Sequence, residues 1–348
     1  MRFFVYEYLS GGGLLSHEGP GDGLQPLLAE GRAMCRAVAA DLAQIEGAEV
    51  TCLRDARQSG WQPEACRCVD VRTRDEHDRA FDCYAAQADW TLVIAPEIGG
   101  ALAERCRRVR AVGGRPLTSP PRLIELASDK HATAEHLRQS GVPAPRGIPF
   151  KLGETWPRGF SYPAIWKPLD GAGSQGLRYV EHSDVPVPPL DGRAGRLEEF
   201  HPWPNGKGDQ AASVAFLCGP QACIALPPCT QRLDPAFHYL GGRLPLPASL
   251  AQRATHLALR AIRSLSEPLG YLGVDLALGT EADGSADVVI EVNPRLTTSY
   301  IGLRAVCREN LAEAMLAIAT GRPYNLTFRE ELVEFTTDGC CILSPGDG

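Results

Sequence analysis

A small cluster of side chains in the C-terminal half carries the strongest chemical signal. Asp275 lies inside the apolar run Gly273-Val274-Asp275-Leu276-Ala277, and Glu291, Asn293 and Arg295 alternate along Glu291-Val292-Asn293-Pro294-Arg295. On a strand, residues two apart point to the same face, so Glu291 and Asn293 present oxygen ligands to one point. A carboxylate such as Asp275 inside an apolar strand is costly without a cation or donor. Three hard oxygen side chains suit Mg²⁺ that also binds nucleotide phosphates. Arg295 follows directly, placed for a phosphoryl group in transfer.

A second signal is the glycine loop Asp170-Gly171-Ala172-Gly173-Ser174-Gln175-Gly176. It formally contains GxGxxG, but a dinucleotide fingerprint must open a helix. Here Leu177, Arg178, Tyr179 and Val180 follow, with the β-branched and aromatic character of a strand. A glycine loop between two strands still suits phosphate, because unhindered backbone N–H groups can close over its oxygens. Lys167 precedes the loop beside apolar Ile165 and Trp166, and a buried ammonium there needs an anion. Lys130 falls in the first turn of a capped helix, where the helix dipole opposes it. No GxSxG occurs, and Gly206-Lys207 is followed by Gly208, so neither an acyl-serine hydrolase nor a Walker A loop is supported.

Elements must position these groups. Residues 3–8 read as a strand running into Ser10-Gly11-Gly12-Gly13, residues 27–45 as a helix, 49–53 and 90–95 as strands and 100–110 as a helix, with a polar stretch between 53 and 90. That alternation predicts a parallel, doubly wound α/β unit. The proline-rich residues 116–121 mark the first boundary. A helix capped at Ser128 or Asp129 runs to about residue 139 and stops at Gly141. Strands are expected at 162–168 and 177–181 as a hairpin around the glycine loop, then at 196–200, and at 211–218 and 222–226 as an antiparallel pair. A helix over 250–265, strands at 273–278 and 287–292, and a last helix over 310–319 complete the reading. The expected divisions are an N-terminal domain over 1–118, a central part over 119–196, a C-terminal part over 197–325 and a tail over 326–348.

Composition narrows the class. The chain has 348 residues with Lys+Arg 35 against Asp+Glu 42, a net charge of −7. No basic block tracks a phosphate backbone, so nucleic acid is not an expected partner. Apolar runs fall short of the roughly 18 residues that span a membrane, and Glu7 interrupts the apolar start, so a soluble cytoplasmic protein without a signal peptide is expected. The 12 cysteines include no CxxC pair, which disfavours a zinc site. Most are expected to be buried small hydrophobes.

In order and spacing, Ser128-Asp129-Lys130, the segment from Trp166 to Gly176, Leu197-Glu198-Glu199-Phe200, Gly273-Val274-Asp275 and Glu291 to Arg295 resemble the ATP-grasp superfamily of carboxylate–amine ligases across roughly residues 115–320. Within it, Tyr6-Glu7-Tyr8, Ile94-Ala95-Pro96-Glu97 and Asn293 to Thr298 look most like the tyramine–glutamate ligases of methanofuran biosynthesis. The resemblance implies an α/β (α+β) ATP-grasp fold: an N-terminal doubly wound domain, a small central lid with the glycine loop, and a C-terminal antiparallel sheet carrying the metal. It implies ATP and Mg²⁺ or Mn²⁺ as cofactors, with Lys130, Lys167, Gly171, Gly173, Ser174, Gln175 and Gly176 on the phosphates. Glu198, Glu199 and Phe200 would meet the adenine, and Lys167 would also approach it. The ribose carboxylate of the family falls here, after an insertion over 201–208, on Asp209 or Gln210. Asp275, Glu291 and Asn293 map onto metal ligands, and Arg232 and Arg295 onto arginines near the transferred phosphate and acyl intermediate.

The activity implied is ATP-dependent activation of a carboxylate as acyl phosphate and its joining to an amine. Glutamate and a tyramine- or tyrosine-like amine are the substrates the closer resemblance suggests. Homodimers are common among relatives. Other readings are a different amino-acid or peptide ligase of the superfamily, and a binding module that keeps ATP without ligation. Specificity is expected from residues 10–23, 96–97 and 297–300.

Overall fold

The computed structural model describes residues 1–15, 24–58, 60–151, 154–171, 176–187, 194–201 and 211–344. The first unit contains β1 (Arg2–Glu7), α1 (Gln25–Ala43), β2 (Glu49–Asp55), β3 (Arg67–Val71), α2 (Arg74–Gln87), β4 (Trp90–Ile94) and α3 (Ala101–Ala111). Its strands form a parallel sheet in the order β3-β2-β1-β4. The central strand β1 is buried from Phe3 to Glu7, as a parallel strand covered on both faces must be. The expected polar stretch in fact holds β3 and α2. That helix buries only His77, Phe81 and Ala85, a stripe with a spacing of four, while charged residues occupy its other faces. Thr73 caps it by accepting from the Glu76 N–H.

Next come α4 (Pro121–Ser128), α5 (Lys130–Gln139), β5 (Gly147–Lys151), β6 (Ala164–Pro168), β7 (Arg178–Val180) and β8 (Ala194–Glu199). The small sheet runs β5-β8-β6-β7, entirely antiparallel, and β6 and β7 form the expected hairpin around the glycine loop. The ring of Trp166 on β6 packs against Gly195 of β8, where an added Cβ would come within 2.5 Å of it. Phe150, Trp156, Ala164, Trp166, Val180 and Leu197 make a separate core for this lid.

The third unit contains β9 (Ala211–Cys218), β10 (Cys223–Ala225), β11 (Cys229–Leu233), β12 (Tyr239–Leu244), α6 (Ala248–Ser264), β13 (Gly270–Ala277), β14 (Val288–Asn293), α7 (Ser299–Val306), α8 (Leu311–Ala319), β15 (Leu332–Thr336) and β16 (Cys341–Ser344). Its sheet runs β14-β13-β9-β11-β12-β15-β16, with β10 paired to β9. β9 is buried at every position because α6 covers one face and α8 the other.

These contacts revise the expected divisions. A boundary at 196 would cut through β8, which belongs to the small sheet. The helices α4 and α5, expected with the lid, pack their Leu123, Ala127, Ala134 and Leu137 into the core of β9, β13 and α6. The expected tail supplies β15 and β16, with Val333 and Phe335 fully buried. Of the cysteines, Cys35, Cys52, Cys106, Cys218, Cys229 and Cys307 are buried, whereas Cys83 and Cys340 are exposed. Among the described residues no helix is long and apolar enough to cross a membrane.

The first and third units share one core, in which Val38 and Leu42 of α1 meet Leu303 of α7, Leu316 of α8 and Phe335 of β15. A polar knot lies at its edge. The buried Asp41 accepts from Tyr300 Oη at 2.6 Å and from Arg304 Nη2 at 2.5 Å, and the Asn310 amide donates to its backbone carbonyl at 2.7 Å. Replacing Asp41 by Ala strands the buried Tyr300 hydroxyl and the Arg304 guanidinium. The expected loss is about 3 kcal/mol of unfolding free energy, measured by denaturant titration, with a smaller loss for Asp41→Asn.

Candidate functional site

A cavity opens between the lid sheet and the large sheet, and most described residues of the expected set meet there. Lys130, Lys167, Gly171, Glu198, Glu199, Phe200, Asp275, Glu291, Asn293 and Arg295 all line it. Gly176 closes the glycine loop with a φ of +78°, a left-handed conformation that favours glycine. Gly173, Ser174, Gln175 and Asp209 lie outside the described residues.

Lys130 opens α5, whose N-cap Asp129 accepts from the His131 and Ala132 N–H groups at 2.9 Å each. Its backbone N–H donates to Leu169 O at 3.0 Å, which ties the helix start to the glycine loop. The ammonium of Lys130 pairs with Glu291 at 2.5 Å. Burial would lower the Lys130 pKa, but Glu291 outweighs it and holds the group above its usual value. Lys167, in the buried strand β6, pairs with Glu198 of the neighbouring β8 at 2.6 Å. The second oxygen of Glu198 accepts from Arg196 Nε at 3.0 Å. Arg196 is fully buried and also donates to Pro145 O at 2.7 Å, with His131 Nδ1 beside its other terminal nitrogen. The carboxylate expected at an adenine edge is thus engaged by two cations.

Asp275 and Glu291 are directly opposed across β13 and β14. Asn293 donates from Nδ2 to Asp275 Oδ2 at 3.1 Å and to Glu291 Oε1 at 3.4 Å. Burial, with the neighbouring Glu291 charge, pushes the Asp275 carboxyl up to about 7. Burial would also raise Glu291, but Lys130 and Lys167 bring it down to about 2. Among the described residues no trio of His, Cys, Asp and Glu side chains forms a metal cluster. The donors are instead two carboxylates and one amide, whose oxygen joins them when the amide turns over. This set fits a hard cation that completes its shell with phosphate oxygens and water and offsets the repulsion between the Asp275 and Glu291 carboxylates.

Arg295 reaches across to the first unit. It donates from Nε to Glu97 Oε1 at 2.8 Å and from Nη2 to Glu97 Oε2 at 3.1 Å. Burial would lower the Arg295 pKa, but the charge and hydrogen bonds of Glu97 together with the Glu30 and Glu291 charges outweigh it and raise the value. Glu97 was expected only within a specificity loop. Arg232 corrects another expectation: it is exposed and does not line the cavity. Strand alternation along β11 instead turns Gln231 and Leu233 inward. Sequence reasoning also missed Glu30, Ser213 and Tyr239 in the lining. Ile165, Leu177, Leu276 and Ile290 give the cavity apolar walls at the lid end.

An ATP-grasp domain model matches residues 127–299, and a pre-ATP-grasp domain model matches residues 48–124. The chain belongs to the ATP-grasp superfamily of ATP-dependent carboxylate–amine ligases. It is 25% identical over 248 residues to a tyramine–L-glutamate ligase of Methanocaldococcus fervens, covering 71% of each chain. A second tyramine–L-glutamate ligase, from Methanocaldococcus jannaschii, is 24% identical over 250 residues, covering 72% of this chain and 68% of the relative. The fold matches the crystal structure of an ATP-grasp superfamily protein from Archaeoglobus fulgidus with a TM-score of 0.71 at 20% identity, covering 96% of this chain and 92% of that one.

The Asp275 shift has a measurable consequence. A carboxyl held at about 7 in the fold, against 3.8 ordinarily, binds more protons folded than unfolded between those values. Without divalent cation, its contribution to stability therefore falls as pH rises through that window. Thermal denaturation as a function of pH should show a flatter profile for Asp275→Asn, and Mg²⁺ should flatten the wild-type profile. Identical slopes for wild type and variant would refute the assignment.

Proposed function

We propose that the protein phosphorylates a substrate carboxylate with ATP and joins the resulting acyl phosphate to an amine, releasing ADP and phosphate. The observation that carries this reading is the convergence in one cavity of Lys130, Lys167, the Asp275–Glu291–Asn293 oxygen set and Arg295, from five separate strands, helices and loops. Lys130 and Lys167 would neutralise ATP phosphates, with Gly171, Gly176 and the rest of the glycine loop covering them. The apolar walls around Ile165 and Leu276 would hold the base. Asp275, Glu291 and Asn293 would hold Mg²⁺ or Mn²⁺, which when bound supplies charge neutralisation at the phosphates. Arg295, kept in place by Glu97, would face the acyl phosphate and stabilise charge developing at the tetrahedral centre. Positioning and charge neutralisation of this kind need no enzyme nucleophile.

Glutamate as the acid and tyramine as the amine are the substrates we favour. The support is the likeness to tyramine–L-glutamate ligases over about 70% of each chain, together with the resemblance that the segments around Glu7, Glu97 and Thr297 carry in the sequence.

Two experiments test this reading. Lys167→Ala should weaken ATP affinity by roughly ten- to a hundredfold in calorimetry, as expected for loss of a charge-assisted contact. An ¹⁸O label in the carboxylate of the acid should appear in the released phosphate, one atom per turnover. A kinase acting on a hydroxyl, or a simple ATPase, does not transfer that atom. Amide product with unlabelled phosphate would exclude the acyl-phosphate route.

A further inference from the structure

Each cation lining the cavity already has an anionic partner. Lys130 pairs with Glu291, Lys167 with Glu198, and Arg295 closes a two-bond fork with Glu97. The lining carboxylates outnumber these partners. Asp275 belongs to the proposed metal set, Asp170 accepts from the Gly99 N–H, and Glu199 sits on the lid strand β8, which leaves Glu30 as the carboxylate at the Arg295 end. Glu30 projects from α1, an element of the first unit that the metal set does not use, and reaches the end of the cavity lined by Arg295, Thr297 and Thr298. Thr298 Oγ1 donates to Glu30 Oε1. Among the described residues Glu30 has no ion pair and no other hydrogen-bond partner.

The cation nearest Glu30, Arg295, is bonded to Glu97 and not to Glu30. Burial pushes the Glu30 carboxyl above the usual range, opposed by the Thr298 hydrogen bond and the Arg295 charge and reinforced by Glu97. Its other neighbours at this end, Tyr239, Thr297 and Ser299, are neutral hydroxyls. A single carboxylate among hydroxyls gives a divalent ion too few charged oxygens. An ammonium, with three N–H donors and one charge, matches one carboxylate and surrounding hydroxyl oxygens.

We propose that Glu30 is the specificity residue that receives a substrate ammonium group, docking it beside Arg295 where the acyl phosphate would form. This inference rests on the ligase reading above. The ammonium has two sources: the incoming amine, or the α-ammonium of an amino acid whose carboxylate is activated.

The test uses the full chain with Mg²⁺ and a non-hydrolysable ATP analogue. Calorimetry compares tyramine with 4-hydroxyphenethyl alcohol, and L-glutamate with 2-hydroxyglutarate, so that each pair differs by ammonium against hydroxyl. Wild type should prefer the ammonium member of at least one pair by about tenfold or more. In Glu30→Gln, which keeps an acceptor for Thr298, that preference should collapse to within about twofold while affinity for the ATP analogue is unchanged. The pair that collapses identifies the source. A preference that survives in Glu30→Gln overturns the role of Glu30 and leaves the ligase reading intact. Failure of wild type to bind any of the four probes, with the ATP analogue still bound, overturns the substrate reading and the Glu30 assignment with it.

Discussion

The cost of removing charge from water governs this cavity. Its walls hold lysines, an arginine and carboxylates that would each be unfavourable alone. The fold meets that cost by pairing them across elements distant in sequence: Lys130 with Glu291, Lys167 with Glu198, Arg295 with Glu97. Each pair also fastens one part of the chain to another. The first pins the start of α5 to β14, the second spans two strands of the lid, and the third joins the end of β4 to the loop after β14. The geometry of the site and the placement of the units around it are therefore one set of constraints.

Arg196 shows how far this extends from the cavity. It is fully buried, yet its guanidinium finds Glu198, the Pro145 carbonyl and His131. Through Glu198 it shares one carboxylate with Lys167, so the lid sheet and the helix that carries Lys130 are held by a continuous polar chain. A second such arrangement, around Asp41, ties the C-terminal end of α1 to α7 and to the start of α8.

Much of this was legible in the sequence where local pattern and tertiary role agree. The apolar strand around Asp275 and the alternating Glu291 and Asn293 placed the oxygen set. The run of strand residues after Gly176 identified the hairpin, and the N-cap at Asp129 identified α5. What escaped had weak local signal. The stripe of α2 is only one residue wide per turn, so its charged faces masked it. α7 begins directly after the Arg295 loop with no separating turn. Glu30 sits on the covered face of α1, in line with the buried Ala33, Met34, Ala37 and Asp41, and the local sequence does not say that what covers that face is a site instead of a core. Arg232 and Gln231 are neighbours on β11, and only strand phase decides which one faces inward.

The lid carries a core made solely from its own residues, Phe150, Trp156, Ala164, Trp166, Val180 and Leu197, whereas the first and third units share theirs. Its links to the rest run through polar contacts, among them Asp170 with the Gly99 N–H at 2.8 Å and Lys130 N with Leu169 O at 3.0 Å. Phe200 adds an edge-on ring contact with Phe237 of the third unit, at 6.0 Å between centroids. The two larger units can come apart only by opening a common interior, whereas the lid keeps an interior of its own and meets them at its surface.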